Sequence, residues 1–385
     1  MTDIENNITV IGIGRLGLGF ALLLEKAGYN ILGVDVNESY INSLNNKTFK
    51  TTEPLYEEYI SKSKNFKASI SLNEGLNHSD YIFLLVPTPN GGGDRFYDHS
   101  ILSDLLVKIN KLKPNNKHFI IGCTVMPKYI DEVGECLLEI EKNNNTLSYN
   151  PEFVAQGEIM KGFLKPDIVL IGTNSEDVSK KLTEIYTKTS ENKPKFCIMK
   201  PLESEIVKIS LNGFITTKLS FANMISDVCD TMGADKYTVL DSIGSDSRIG
   251  NKYFRPGYSF GGPCFPRDTK ALKQVVDSVN INSDILTATT KYNEEHIIFQ
   301  VEQLLKDPVA AFAIEASLSR MTPFAAEDLG ISEEEIERMQ SAGLRLGDSA
   351  SEGIIVGLQQ RAPQLESTLV SMLDNAVEAS QYFIK

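Results

Sequence analysis

Gly261-Gly262-Pro263-Cys264-Phe265-Pro266-Arg267-Asp268 puts a cysteine on a glycine-rich turn, with a carboxylate four residues further on. Such a turn lets a backbone approach a ligand closely, and a thiol held there between prolines can serve as a nucleophile. A second group lies near the start of the chain. Gly12-Ile13-Gly14-Arg15-Leu16-Gly17 follows the apolar run Ile8–Ile11 and opens a helical stretch over Leu16–Ala27, while Asp35 closes the next apolar run. Glycines at that spacing permit a tight turn and close approach to a pyrophosphate at a helix N-terminus, and the acid would accept hydrogen bonds from an adenosine ribose. A carboxylate there disfavours a 2′-phosphate. The expected cofactor is therefore NAD rather than NADP, held by Gly12, Gly14, Arg15, Leu16, Gly17 and Asp35. A cysteine nucleophile combined with a hydride acceptor suggests oxidation through a thioester.

Thr88, in Val86-Pro87-Thr88-Pro89, and Thr124, in Gly122-Cys123-Thr124-Val125-Met126-Pro127, each follow a buried strand. Ligands of open α/β sheets lie beyond the carboxyl ends of strands, so both threonines are expected to face cofactor or substrate. Lys208 and Asn212 stand four apart on a helical stretch and share a face. Aimed at one point, they would stabilise an oxyanion. Each feature alone also has a plainer reading: a ligand-free glycine turn, two strand-end turns, a solvated helix face and an inert thiol.

The elements that must position these residues are legible in the apolar pattern. Short β-type runs at Ile8–Ile11, Asn30–Val34, Tyr81–Val86, Phe119–Cys123, Leu147–Asn150 and Ile168–Ile171 alternate with helical stretches. That rhythm reads as a Rossmann-type, doubly wound α/β sheet with mainly parallel strands. A long helix is expected from about Leu202 to Met232, spanning two lobes or forming an oligomer seam. Further helices are expected over Asp268–Val279 and about Ser283–Leu305. The expected organisation is a dinucleotide-binding domain over 1–200, a central helical domain with the cysteine loop over 201–306, and an atypical acidic, mostly helical segment over 307–385. Composition breaks at that last boundary: of 27 asparagines only Asn375, and of 29 lysines only Lys385, lie beyond it.

At 385 residues the chain can hold two or three domains. It has no apolar run of the roughly 18 residues that a membrane span needs, and its start lacks a signal-peptide pattern. A cytoplasmic protein is expected. With 51 acidic and 38 basic residues the net charge is −13, which argues against a nucleic-acid partner. The five cysteines lack CxxC spacing and the four histidines lack metal-ligand spacing, so neither a zinc site nor a disulfide framework is implied. Cys123, Cys136, Cys197 and Cys229 are expected to pack as small hydrophobes.

The order and spacing of these motifs, with Asn150-Pro151-Glu152-Phe153 and Arg248-Ile249-Gly250 among them, resemble the UDP-glucose/GDP-mannose dehydrogenase family over about residues 8–305. The cysteine loop is the most specific part of the likeness. The resemblance implies oxidation of C6 of a nucleotide sugar from alcohol to acid with two NAD⁺. Carried over, Cys264 would capture the intermediate aldehyde and Lys208 with Asn212 would stabilise the oxyanion. Asp268 and Thr124 would hold a catalytic water, and Glu152 would assist thioester hydrolysis. Arg248, Tyr253, Phe260, Gly261 and Gly262 would contact the nucleotide sugar, with Glu152, Phe153, Lys165 and Lys208. Phe163-Leu164-Lys165-Pro166-Asp167 looks more like the UDP-glucose branch than the GDP-mannose branch, with UDP-N-acetylhexosamine dehydrogenases still open, and a homodimer through the long helix is implied. Two departures stand out. Gln156 occupies the place of a second glutamate, and residues 307–385 are too short for the family's second Rossmann-like domain. Two other readings remain open at this point: a two-electron 3-hydroxyacid dehydrogenase, and a non-catalytic NAD-binding interaction protein with a grafted tail.

Overall fold

Strand order in the eight-stranded sheet explains where the chemistry-bearing loops emerge. The structure, a computed structural model, describes residues 6–306 apart from 94, 155, 156 and 263. The expected helical segment over 307–385, and with it the composition break, lies outside the described residues, as do Gln156 and Pro263. The chain forms two compact units, one over 1–209 and the other from Ser210 onward.

The first unit runs β1 (Asn7–Ile11), α1 (Arg15–Lys26), β2 (Asn30–Val34), α2 (Glu38–Asn45), α3 (Tyr56–Lys62), β3 (Phe66–Ser69), α4 (Leu72–His78) and β4 (Tyr81–Leu84). It continues with α5 (Ser100–Lys111), β5 (His118–Ile121), a π-helical turn (Tyr129–Gly134), α6 (Glu135–Leu138), α7 (Ile140–Asn143) and β6 (Thr146–Tyr149). Then come α8 (Ile159–Leu164), β7 (Ile168–Gly172), α9 (Glu176–Thr189) and β8 (Lys195–Met199). The sheet order is β3-β2-β1-β4-β5-β6-β7-β8, parallel throughout except for the β6–β7 pair. Its first six strands have the order in which dinucleotide-binding folds reverse direction between β1 and β4. The glycine loop leaves β1 at that reversal, and the Thr88 loop leaves β4 beside it.

Both faces of this sheet are buried, as a parallel sheet requires. Phe83 of β4 and Ile120 of β5 face one apolar cluster, whereas Ile82, Leu84, Phe119 and Ile121 face the other. Helix α1 is buried almost all round. Leu18, Phe20, Leu22, Leu23 and Leu24 are each at most 1% exposed, and the Phe20 ring meets Phe83 at 4.9 Å and Phe163 at 5.4 Å. Burying one such aromatic side chain stabilises the fold by about 1.5–3 kcal/mol. This packing holds the N-terminus of α1, where the glycine loop ends, in a fixed place.

The second unit is helical in its described part. Helix α10 (Pro201–Met232) begins in the first unit and runs on through Ser210 for 32 residues, about 48 Å of helix. It is followed by α11 (Lys236–Gly244), α12 (Phe265–Ser278) and α13 (Asp284–Lys306). Gly213 lets α12 come close to α10, because a Cβ there would stand 2.6 Å from Leu272 Cδ2. The Thr216 and Thr269 hydroxyls then bond across the contact at 2.8 Å. Among the described residues no helix is long and apolar enough to cross a membrane.

One packing expectation is corrected. Of the four cysteines expected to pack as small hydrophobes, Cys229 is buried, Cys123 and Cys197 are half-buried, and Cys136 is exposed. Cys136 sits in α6, a single turn too short to bury all of its faces.

Candidate active site

The glycine loop is built for close approach of another molecule. Gly12 has φ +86°, and a Cβ there would stand 2.7 Å from the Leu85 carbonyl oxygen. A Cβ at Gly17 would stand 2.0 Å from the Gly12 carbonyl oxygen. The fold itself excludes side chains at both. Gly14 differs: a Cβ there would meet nothing within 4 Å. It is the N-cap of α1 and supplies no side-chain cap. Open space therefore lies beside Gly14 at the N-terminus of α1, which suits a pyrophosphate. Asp35 follows β2, and one of its oxygens accepts from the Asn37 amide at 3.1 Å. These residues fit a dinucleotide.

Two tyrosines that the sequence reading did not single out fix the loop. Tyr40 donates to the Ile13 carbonyl and Tyr56 to the Arg15 carbonyl, both at 2.7 Å. Burial pushes both phenols well above their ordinary range, so each stays a donor. The Arg15 side chain lies 3.9 Å from Glu53, whose carboxylate accepts from the Gly157 amide at 3.0 Å.

The strand-end threonines come together. The Thr88 hydroxyl donates to the Thr124 carbonyl at 2.9 Å, tying the loop after β4 to the loop after β5. Glu205 of α10 holds the far end of the Thr124 loop by accepting from the Lys128 amide at 2.7 Å and the Ile130 amide at 2.9 Å. Burial pushes its carboxyl up to about 7.

Glu152 follows β6. Burial pushes its carboxyl up to about 7, opposed by the Tyr186 hydroxyl and the Lys208 charge. Tyr186 Oη lies 2.5 Å from Glu152 Oε1. Lys208, itself buried, donates to the Glu152 backbone carbonyl and sits 4.3 Å over the Phe153 ring. The sequence-read residues Glu152, Phe153 and Lys208 therefore form one group. Lys165, by contrast, is turned to the surface and lies 3.8 Å from Glu191.

In the second unit Cys264 is exposed and is the N-cap of α12. Its side chain therefore stands at the N-terminal end of a 14-residue helix, where it is open to an incoming ligand. One turn on, Asp268 is buried, and the Asn212 amide donates to it at 2.5 Å. The Asp268 backbone amide closes the turn onto the Cys264 carbonyl at 2.8 Å.

The backbone leading to Cys264 is held from α10 and α13. Asn293 both donates to Phe260 O at 3.0 Å and accepts from Phe260 N at 2.8 Å. Asn223 does the same with Tyr258 O and Gly257 N, both at 3.2 Å. Lys218 donates to the carbonyls of Ile249, Gly250 and Lys252. Gly262 takes φ +77° in the turn itself. None of Asn223, Asn293 and Lys218 carries a spacing signal of its own; only their helical register toward the loop would have marked them. Tyr253 packs edge-on to Phe265, and exposed Arg248 is paired with Asp246 at 2.7 Å.

Comparison with known proteins agrees with these features. The family model described as "UDP-glucose/GDP-mannose dehydrogenase family, NAD binding domain" matches residues 6–190, and that family's central domain matches residues 202–295. A UDP-glucose 6-dehydrogenase of Rickettsia bellii is 30% identical over 304 residues, covering 77% of this chain and 69% of the relative. One from Bacillus subtilis is 29% identical over 306 residues, covering 78% and 68%. The solved structure of a UDP-glucose dehydrogenase from Pyrobaculum islandicum superposes with a TM-score of 0.69 at 27% identity, covering 79% of this chain and 71% of that one.

Proposed function

This chain belongs to the UDP-glucose/GDP-mannose dehydrogenase family and is an NAD-dependent oxidoreductase, and from that premise we propose that it oxidises C6 of UDP-glucose to UDP-glucuronate in two two-electron steps. Bound by the glycine loop and Asp35, beside Thr88 and Thr124, NAD supplies the hydride acceptor for each step. Lys208 and Asn212 stabilise negative charge on the C6 oxygen. Cys264 Sγ adds to the aldehyde carbon and keeps the half-oxidised sugar covalently attached. At the thioester stage, Asp268 orients water and Glu152 takes its proton; the tetrahedral adduct then expels the Cys264 thiolate and leaves the carboxylate.

The observation that carries this reading is Cys264 itself, exposed at the head of α12, with Asp268 fixed one turn away by Asn212. Lys165 and Arg248, whose cationic heads are exposed, suit the phosphates. Phe153, Tyr253 and the Phe260-Gly261-Gly262 backbone complete the sugar-nucleotide contacts. A homodimer through α10 is part of the proposal, supported by the exposed apolar residues Phe214, Phe221, Met224, Val228 and Met232 along it. Incubation with UDP-glucose and NAD⁺ is expected to give NADH and UDP-glucuronate. Cys264→Ser is expected to retain NAD binding while losing acid formation. NAD binding without NADH from any nucleotide sugar would refute the proposal.

A further inference from the structure

Tyr186 of α9 has one hydroxyl proton and two acceptors for it. Its Oη lies 2.5 Å from Glu152 Oε1 and 2.8 Å from Asn150 Oδ1. The Asn150 amide cannot be flipped to relieve this, because its Nδ2 donates to the buried Leu170 carbonyl at 2.9 Å. Asn150 therefore presents only an acceptor to the phenol. Both Asn150 and Tyr186 are at most 2% exposed, so bulk water does not reach the phenol's proton, although Glu152 itself is half-buried.

Proton accounting then allows two arrangements. With Glu152 protonated, the carboxyl donates to Tyr186 Oη and Tyr186 donates to Asn150, satisfying all three groups. With Glu152 ionised, Tyr186 turns its proton to the carboxylate and leaves Asn150 Oδ1 facing an oxygen lone pair. We propose that Tyr186 is the positioning residue that sets the protonation of Glu152, turning its hydroxyl from Asn150 to the carboxylate as Glu152 ionises. The phenol keeps its own proton throughout, and the proton lost is that of Glu152. The inference rests on the reading of Glu152 as the base of thioester hydrolysis.

The direction follows from bond strength. A hydrogen bond to a carboxylate is stronger than one to an amide oxygen, so Tyr186 favours the ionised form despite the cost at Asn150. Burial pulls the other way and lifts the carboxyl to about 7, while the Lys208 charge acts with Tyr186 to lower it. Tyr186 itself is pushed well above its ordinary value by burial and by Glu152, and so remains a neutral donor.

The test is the titration of Glu152 in protein carrying carbon-13 at the glutamate side-chain carboxyl, with its signal assigned by its loss in Glu152→Gln. Tyr186→Phe, which keeps the ring volume, is expected to raise the midpoint by about one pH unit. The ascending limb of kcat against pH should rise by the same amount. Replacing tyrosine with 3-fluorotyrosine, a more acidic donor of nearly equal size, is expected to lower the midpoint and serves if Tyr186→Phe fails to fold. An unchanged or lowered midpoint in Tyr186→Phe, or an unchanged or raised one with 3-fluorotyrosine, overturns the assignment. Failure of the wild type to turn over would refute the proposed function yet leave the carboxyl midpoint measurable, so the two failures are distinguishable.

Discussion

At the scale of single residues, Glu152 and Cys264 sit in opposite settings, and each setting suits its proposed task. Cys264 is exposed at a helix N-terminus, where its sulfur can reach a bound carbonyl carbon. Glu152 is pushed up to about 7 by burial. As the hydrolytic base it must be ionised, so turnover limited by hydrolysis is expected to rise with pH through about 7. Glu152→Gln is expected to slow hydrolysis by roughly a hundredfold or more and to abolish that limb, with the thioester accumulating on Cys264. A pH–rate profile combined with mass spectrometry of the quenched protein checks both. Both residues stood out in the sequence, Cys264 by its glycine–proline turn and Glu152 through the family resemblance of Asn150-Pro151-Glu152-Phe153. Tyr186 and Glu205 were not legible: a tyrosine and a glutamate in amphipathic helices look like ordinary core and surface residues until their partners are known.

At the scale of elements, the three glycines of the first loop make separable demands. Gly17→Ala would drive a Cβ to within 2.0 Å of backbone that cannot move, at the foot of the buried helix α1. It is expected to destabilise the first unit by more than about 2 kcal/mol. Gly14→Ala meets open space and keeps a permitted extended backbone. Its melting temperature is expected to stay within about 2 °C of wild type, while NAD affinity falls about tenfold or more, a loss of about 1.4 kcal/mol. Calorimetric melting and NAD titration of the two variants separate fold from binding. The six strands read from the apolar pattern are the inner six, whose faces are both covered. The two that escaped notice, β3 and β8, are the sheet edges. Phe66-Lys67-Ala68-Ser69 fully buries only Ala68, and no residue of β8 is fully buried. Edge strands buried on little of their surface carry no apolar run to detect. Of the helices, α1, α10, α12 and α13 were named from the sequence, whereas α11 and the short helices of the first unit were not.

At the scale of the whole molecule, the long helix α10 carries residues of the proposed chemistry and an exposed apolar stripe. Phe221→Glu together with Met224→Glu is expected to convert a dimer to a monomer in sedimentation, with NAD binding retained because neither residue lies in the glycine loop. The broad class was legible because the glycine loop, Asp35, the Lys208–Asn212 pair and the cysteine turn occur in one order, and no single motif would have sufficed. The central claim is a four-electron oxidation completed through Cys264. A two-electron hydroxyacid dehydrogenase would share the Rossmann-type unit and need no thiol, so electron counting separates the two most directly. The decisive measurement is NADH formed per UDP-glucose consumed at completion: two, with UDP-glucuronate as the product, is the result expected here, and one NADH per sugar, or undiminished acid formation by Cys264→Ser, would contradict the account.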